Sequence, residues 1–151
     1  MDGEQRLLDT QRDRITNPDR KARFEFVRGA AAADAGERER WFRALEDPAN
    51  RRRETWVVQG LRLLNDPLSA EQSAVLVPKA MDMLVEIHRT GALFFDAAWA
   101  DATLRGHSSP QVAAAVTSFV EALPADYPPQ LRALVLQRSD LLMRAARTRA
   151  Q

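Results

Sequence analysis

The sequence predicts an all-α fold, in which antiparallel helical pairs stack side by side as a solenoid. Apolar residues recur with a period of about 3.6 residues along most of the chain, as in amphipathic helices. Two successive helical segments end alike, at Leu45-Glu46-Asp47-Pro48 and at Leu64-Asn65-Asp66-Pro67, which indicates repeated helical hairpins. No segment has the alternating pattern of a strand, and Leu93-Phe94-Phe95 fits the helical pattern better.

The segment 50–67 is the clearest single helix of the chain. Trp56, Gly60 and Leu64 lie on one stripe of the helical period. Asn50 is the predicted N-cap, and the Asp-Pro pair ends the helix because a residue before proline is disfavoured in the α region. Glycine costs a helix about 1 kcal/mol relative to alanine, so we interpret Gly60 as a point of close helix–helix approach. Trp56 is interpreted as core or groove wall rather than as a ligand-stacking residue.

The chain before this segment predicts two capped helices and a charged beginning. Residues 1–15 have little apolar surface, so they form either a short helix or the cut end of a longer one. Asn17-Pro18 predicts a helix start, because asparagine caps well and proline suits the first helical position. Asp34 is the predicted cap of the next helix, over residues 35–46.

The chain after this segment predicts four more helices. Ser69 and Gln72 have the spacing of a capping box. Pro78 lies inside the first of these helices, so we expect a kink or a break there. Ser108 or Ser109 caps the third. The predicted helices cover residues 69–89, 93–105, 110–123 and 129–148, which brings the total to about seven.

Length and composition restrict the function classes. A chain of 151 residues predicts one compact domain over residues 1–151. Lys and Arg total 22 against 21 for Asp and Glu, so no global charge favours nucleic acid or anionic lipid. The chain has no cysteine, which excludes disulfides and thiolate chemistry. No stretch approaches the ~20 apolar residues of a membrane span. The first residues do not predict a signal peptide, so a cytoplasmic location is favoured, and any export signal of a longer parent would lie outside this chain.

No catalytic or metal site is predicted within this chain, and no cofactor. Its only histidines are His88 and His107, whereas a metal site needs clustered ligands. His88 continues an apolar stripe, so we interpret it as a satisfied core or edge residue. His107 follows Gly106 in a turn, where it either bonds to the backbone or acts as a cap, or else has a binding role. Neither a Gly-x-Ser-x-Gly motif nor a glycine-rich phosphate loop occurs.

The stretch Arg51 to Arg53 is the strongest charge cluster. It lies at a predicted helix N-terminus, where the helix dipole disfavours cations, so another interaction must favour it. One interpretation is pairing with Glu46, Asp47, Glu54 or the preceding helix. The other is a groove that holds a carboxylate or a phosphate. Acidic residues interrupt every basic run, so a nucleic-acid interface is not predicted.

Several short motifs follow one another in a characteristic order. In the first part of the chain they are Asn17-Pro18-Asp19-Arg20, Phe24-Glu25-Phe26, Asn50-Arg51-Arg52-Arg53-Glu54, Trp56-Val57 and Gly60-Leu61. Further on they are Ile87-His88-Arg89-Thr90-Gly91, Phe94-Phe95 with Trp99, Ala102-Thr103-Leu104, Gly106-His107-Ser108, Asp126-Tyr127-Pro128-Pro129 and Leu131-Arg132. Through this ordered set of motifs, the sequence resembles the C-terminal helical domain of bacterial aminopeptidase N-like zinc metallopeptidases.

The resemblance implies a HEAT-like or armadillo-type curved superhelix. In that family the domain closes over a zinc-bearing catalytic domain and walls the cavity for peptide substrates. The family's catalytic motifs, H-E-x-x-H and G-x-M-E-N, do not occur here. The resemblance therefore implies a non-catalytic fragment whose partners are the parent's catalytic domain and the peptide substrate, with zinc bound only in the parent. The residues expected to line the concave face are Arg51, Arg52, Arg53, Trp56, Trp99 and His107.

Two alternatives to the aminopeptidase domain stay open. The first is a free-standing helical-repeat scaffold that binds a protein or a peptide. The second is a stand-alone hydrolase, for which no nucleophile or metal motif is present in the sequence.

Overall fold

The computed structural model describes residues 2–149, and within this range the chain is helical and contains no strand, which confirms the all-α prediction. The α-helices are α1 (Asp2–Arg14), α2 (Pro18–Arg28), α3 (Ala35–Ala44), α4 (Glu54–Leu64), α5 (Ala70–Ser73), α6 (Val77–Asp82), α7 (Leu84–Thr90), α8 (Phe95–Leu104), α9 (Pro110–Glu121) and α10 (Pro129–Arg149). Short 3-10 helices cover Gly29–Ala31, Pro48–Arg51 and Ala74–Leu76. Met1, the first residue of the predicted segment 1–15, lies outside the described residues.

The chain divides into two compact units, of which the first ends at Leu64 and the second begins at Asn65. A compact unit is not by itself an independent domain, so one domain over residues 1–151 stays a prediction. Between residues 2 and 149, each helix is too short or too polar to cross a lipid bilayer.

Three predicted N-caps are confirmed. Asn17, Asp34 and Ser109 each accept a hydrogen bond from the backbone N–H three residues later, at 3.0, 2.7 and 3.2 Å. Proline follows directly after Asn17 and after Ser109, at the first helical position, where a missing N–H costs nothing. Of the two candidate caps for α9, the structure selects Ser109. Each such cap is worth about 1 kcal/mol.

Two other predicted caps are wrong. Asn50 lies in the 3-10 turn before α4, where its side-chain amide donates to the Ala44 carbonyl at 2.8 Å. Asp47 caps that turn instead. Ser69 makes no capping bond through its side chain, and its hydroxyl donates to the Asp66 carbonyl at 3.3 Å. For Asn50 the reason is that α4 starts only at Glu54, whereas α5 does start directly after Ser69 and only the capping bond is missing.

The helix break expected near Pro78 is confirmed, but it lies a few residues before the proline. The predicted helix over residues 69–89 is interrupted at Ala74–Leu76, and α6 then starts with Pro78 in its first turn. There the proline removes no helical hydrogen bond. A second interruption at Met83 separates α6 from α7.

The first unit is held together by an aromatic cluster on α2, α3 and α4. The Trp41 indole N–H donates to the Phe26 carbonyl at 2.7 Å. The Phe26 ring lies 6.0 Å from the Trp41 ring and 5.9 Å from the Trp56 ring, between centroids. A β-carbon at Gly60 would overlap the Trp41 ring. Gly60 therefore marks a close approach, as interpreted from the sequence, and the approaching group is a tryptophan side chain.

The second unit packs around Trp99, which has no exposed surface. Its indole N–H donates to the Ala80 carbonyl at 2.9 Å, and the Phe95 ring stands edge-on to it at 6.1 Å. Other buried residues of this core are Leu84, Ile87, Leu104, Val116, Leu131, Val135 and Leu142. Residues from α6 to α10 thus share one core.

Gly60→Ala is expected to lower the free energy of unfolding by about 1–3 kcal/mol, because the new methyl group displaces the Trp41 ring. Helix propensity alone would instead raise stability by about 1 kcal/mol. Urea denaturation followed by tryptophan fluorescence distinguishes the two signs. Gly3→Ala is the matched control, since a β-carbon there meets nothing within 4 Å. A stabilised Gly60→Ala variant would contradict the packing described here.

Candidate functional site

The residues predicted to line a groove fall in both compact units. Arg51, Arg52, Arg53 and Trp56 belong to the first unit, and Trp99 and His107 belong to the second. The common concave face stays a prediction.

The arginine cluster divides into separate roles. Arg51 is only 5% exposed, and its Nη1 donates to the Leu45 carbonyl at 3.1 Å. Leu45 is the C-cap of α3, where a cation is favoured by the helix dipole. Pairing with the preceding helix, one of the two interpretations of the cluster, is confirmed for Arg51. Arg52 is exposed, and its groove role stays a prediction.

Arg53 stacks on Trp56. Its guanidinium carbon lies 4.0 Å from the centre of the Trp56 ring, which is cation–π geometry. Trp56 is half-buried, with its other contacts toward Phe26. The pair places a guanidinium and an indole together at the edge of the first unit's aromatic cluster.

The prediction that Trp99 lines a groove is not supported by its position. Since Trp99 has no exposed surface and its N–H is bonded to Ala80, it has no atom to offer a ligand in this structure. His88 lies at the surface, with Nδ1 2.6 Å from Asp96 Oδ2, so the interpretation as a satisfied edge histidine is confirmed. Between residues 2 and 149, no three His, Asp or Glu residues are grouped so as to hold a metal ion.

His107 is held by a buried carboxamide. It is 5% exposed, and its Nε2 lies 2.9 Å from Asn65 Oδ1. The same Oδ1 lies 2.9 Å from the Ser73 hydroxyl, while the Asn65 amide donates to the Ala102 carbonyl at 3.4 Å. Oδ1 is thus the acceptor, and His107 Nε2 carries the hydrogen. A β-carbon at Gly106 would overlap the Asn65 carbonyl, so the turn before His107 requires glycine.

Burial lowers the pKa of His107 to about 4, because the imidazolium would lose its hydration. At neutral pH the ring is therefore uncharged, with its hydrogen on Nε2 and a free lone pair on Nδ1. Nδ1 has no hydrogen-bond partner among the described residues, and it is not among the fully enclosed polar atoms. His107 thus keeps one ring nitrogen as a hydrogen-bond acceptor that no described residue uses.

His107 also lines a cleft within the second unit. The cleft has a volume of about 340 Å³, and its lining includes Leu68, Glu71, His107, Ser108, Ser109 and Arg149. Glu71 and Arg149 carry opposite charges, and neither forms an ion pair with a described residue. Hydroxyls, an imidazole and both signs of charge therefore line one small cavity.

Sequence reasoning found His107 and missed its partner. Asn65 belongs to the repeated helix end Leu64-Asn65-Asp66-Pro67, which predicts a helix stop and a repeated hairpin but no buried polar contact. The equivalent position in the earlier helix end is Glu46, and this difference is the one signal that could have singled out Asn65. Buried Arg38, which donates to the carbonyls of Ala32 and Ala33, had no such signal.

We expect His107 to make folding stability depend on pH. The unfolded histidine titrates near pH 6.5 and the folded one near 4, so the unfolded chain binds more protons between these values. The contribution of His107 is complete above about pH 6.5 and falls by roughly 2–3 kcal/mol as the pH drops toward 4. His107→Gln keeps a donor for Asn65 without titrating, so its stability should fall less over this window. Urea denaturation at pH 7, 5.5 and 4.5 measures the difference, with Ser108→Ala as control. Parallel pH profiles for His107→Gln and the unmodified chain would contradict the assignment.

Comparison of the chain with protein-family models, with curated proteins and with solved structures gives no match. The resemblance to the aminopeptidase domain therefore rests on the residues of this sequence alone.

Proposed function

We propose that this chain is the non-catalytic C-terminal domain of a zinc-dependent aminopeptidase. In this role it walls the peptide-substrate cavity and supports the catalytic domain, which binds the zinc. The proposal is carried by the ordered set of motifs. Several motifs of that set also make fold-determining contacts: Asn17-Pro18 starts α2, Gly60 receives the Trp41 ring, and Gly106-His107 closes on Asn65.

We propose further that the helices form a HEAT-like array. The all-helical chain and the short turns between α8, α9 and α10 support this arrangement. So does the packing of α9 against α10 and of α2 against α4 within their units. Helical pairs of this kind bury a continuous core only when they stack on neighbours.

The surface proposed to contact the peptide is formed by Arg52, Arg53 and Trp56. A guanidinium stacked on an indole keeps N–H donors that can bind a carboxylate, and the ring offers apolar contact area. Arg51 is excluded from this surface, because it is buried and bonded to Leu45.

A stand-alone scaffold that binds a protein partner is the second candidate. It is favoured by Leu93 and Phe94, neighbouring side chains that are 83% and 71% exposed. Phe94 also has a φ of 71°, in the left-handed region, which costs a non-glycine residue about 1–2 kcal/mol. A protein partner that covered this turn would bury both exposed apolar side chains.

The gene decides between these two candidates. For the aminopeptidase domain we expect an H-E-x-x-H sequence upstream in the same reading frame, or in a neighbouring gene whose product co-purifies with this chain. Its absence from both places would overturn the proposal and leave the scaffold.

The isolated chain with zinc should not hydrolyse aminoacyl chromogenic substrates above the blank. Turnover that survives repurification and is lost on chelation would contradict a non-catalytic role.

The groove is tested in the parent enzyme. Arg53→Ala is expected to raise KM for peptides about tenfold, since removing one charge-assisted hydrogen bond typically costs about 1.5 kcal/mol. The kcat for a small aminoacyl substrate should stay unchanged, because this substrate does not reach the helical domain. Arg40→Ala, which removes an exposed arginine on α3, is the matched control. Equal effects of the two variants would refute the groove.

A further inference from the structure

We propose that the cleft beside His107 binds a free α-amino acid with an apolar side chain. The cleft lies entirely within the second unit, since its lining residues run from Pro67 to Arg149. The inference uses none of the residues of the proposed peptide surface, so it does not depend on the proposed function.

The charges of the cleft select a zwitterion. Glu71 and Arg149 line the same cavity, and no described residue neutralises either of them. A ligand with one ammonium and one carboxylate group compensates both charges at once. A simple anion or a simple cation would leave one of them without a partner.

In the proposed complex, Nδ1 of His107 accepts a hydrogen bond from the ammonium group of the ligand. Its Nε2 hydrogen is committed to Asn65, and its neutral Nδ1 keeps a lone pair that no described residue uses. The ring is nine-tenths buried and fixed by the Asn65 contact, so this acceptor is preorganised. An ammonium N–H is a strong donor to such a nitrogen.

The N-terminus of α9 offers hydrogen-bond donors to the carboxylate of the ligand. Ser109 Oγ accepts from Val112 N–H, which leaves the Ser109 hydroxyl hydrogen available to donate. Ser108 adds a second hydroxyl to the lining. The first turn of this 12-residue helix also carries partial positive charge, which favours a carboxylate beside Arg149.

The volume of the cleft and its apolar residues restrict the choice of ligand further. A volume of about 340 Å³ lies at the low end of the ~300–1,000 Å³ usual for ligand pockets, which fits a single amino acid. Leu68 is 98% exposed at the cleft, and Pro67, Ala70 and Ala74 continue the apolar side. An aliphatic side chain such as that of leucine would cover this surface.

The test is titration of the whole chain with L-leucine, followed through the backbone amide NMR signals of His107 and Ser108. L-leucinamide lacks the carboxylate, N-acetyl-L-leucine lacks the ammonium group, and glycine lacks the side chain. We expect L-leucine to bind at least tenfold more tightly than each of the three. Equal affinity for all four compounds, or no shift of the His107 and Ser108 signals with L-leucine, would overturn the proposal.

Variants locate the site. Glu71→Gln and Arg149→Gln should each weaken L-leucine binding at least fivefold, and both positions are exposed, so the fold is retained. Arg147→Gln is the matched control, because Arg147 is an exposed arginine in the same last turn of α10 and does not line the cleft. An equal loss in Arg147→Gln would mean general charge attraction and would refute the site. A negative result would leave the proposed function untouched, since that proposal is tested on the gene and on the parent enzyme.

Discussion

Satisfying the carbonyl groups at helix C-termini is the constraint on which both units depend. Every helix leaves its last carbonyls without a partner inside the helix, and short helices carry many such ends for their length. In the first unit Trp41 donates to Phe26 in the last turn of α2, and Arg51 donates to Leu45 after α3. In the second unit Trp99 donates to Ala80 near the end of α6. Buried polar side chains thus stabilise the ends while their apolar parts fill the cores.

This constraint explains which parts of the fold could be predicted from sequence. N-caps such as Asn17 and Asp34 bond three residues ahead, so the pattern is local and visible in the sequence. The donors to carbonyls at helix C-termini come from distant positions in the sequence. Trp41 lies 15 residues from Phe26, and Asn65 lies 37 residues from Ala102, so no local sequence pattern predicts these contacts. Helix existence and class were therefore predictable, while the contacts that join the helices were not.

The candidate sites show the same division. The sequence identifies His107 as a candidate because it is one of two histidines and follows Gly106 in a turn. Helical periodicity does not predict its carboxamide partner, Asn65. Arg51 was grouped with its two neighbours because adjacent charges look alike in a sequence. Three-dimensional packing separates them, since a residue one position along a turn points in a different direction. The expectation that Trp99 lines a concave face comes from the family resemblance, whereas in the structure its ring is fully buried in the core of the second unit.

Gly106 has a consequence for how this chain tolerates change. Its Cα lies against the Asn65 carbonyl with no room for any side chain, and the same asparagine orients His107 and Ser73. A library randomised at this codon and selected for folded protein should therefore recover glycine almost alone. The neighbouring codon for Ser108 should return many residue types. Position 106 thus accepts only glycine if the fold is to be kept, whereas position 108, which lines the cleft, accepts side chains of different chemistry.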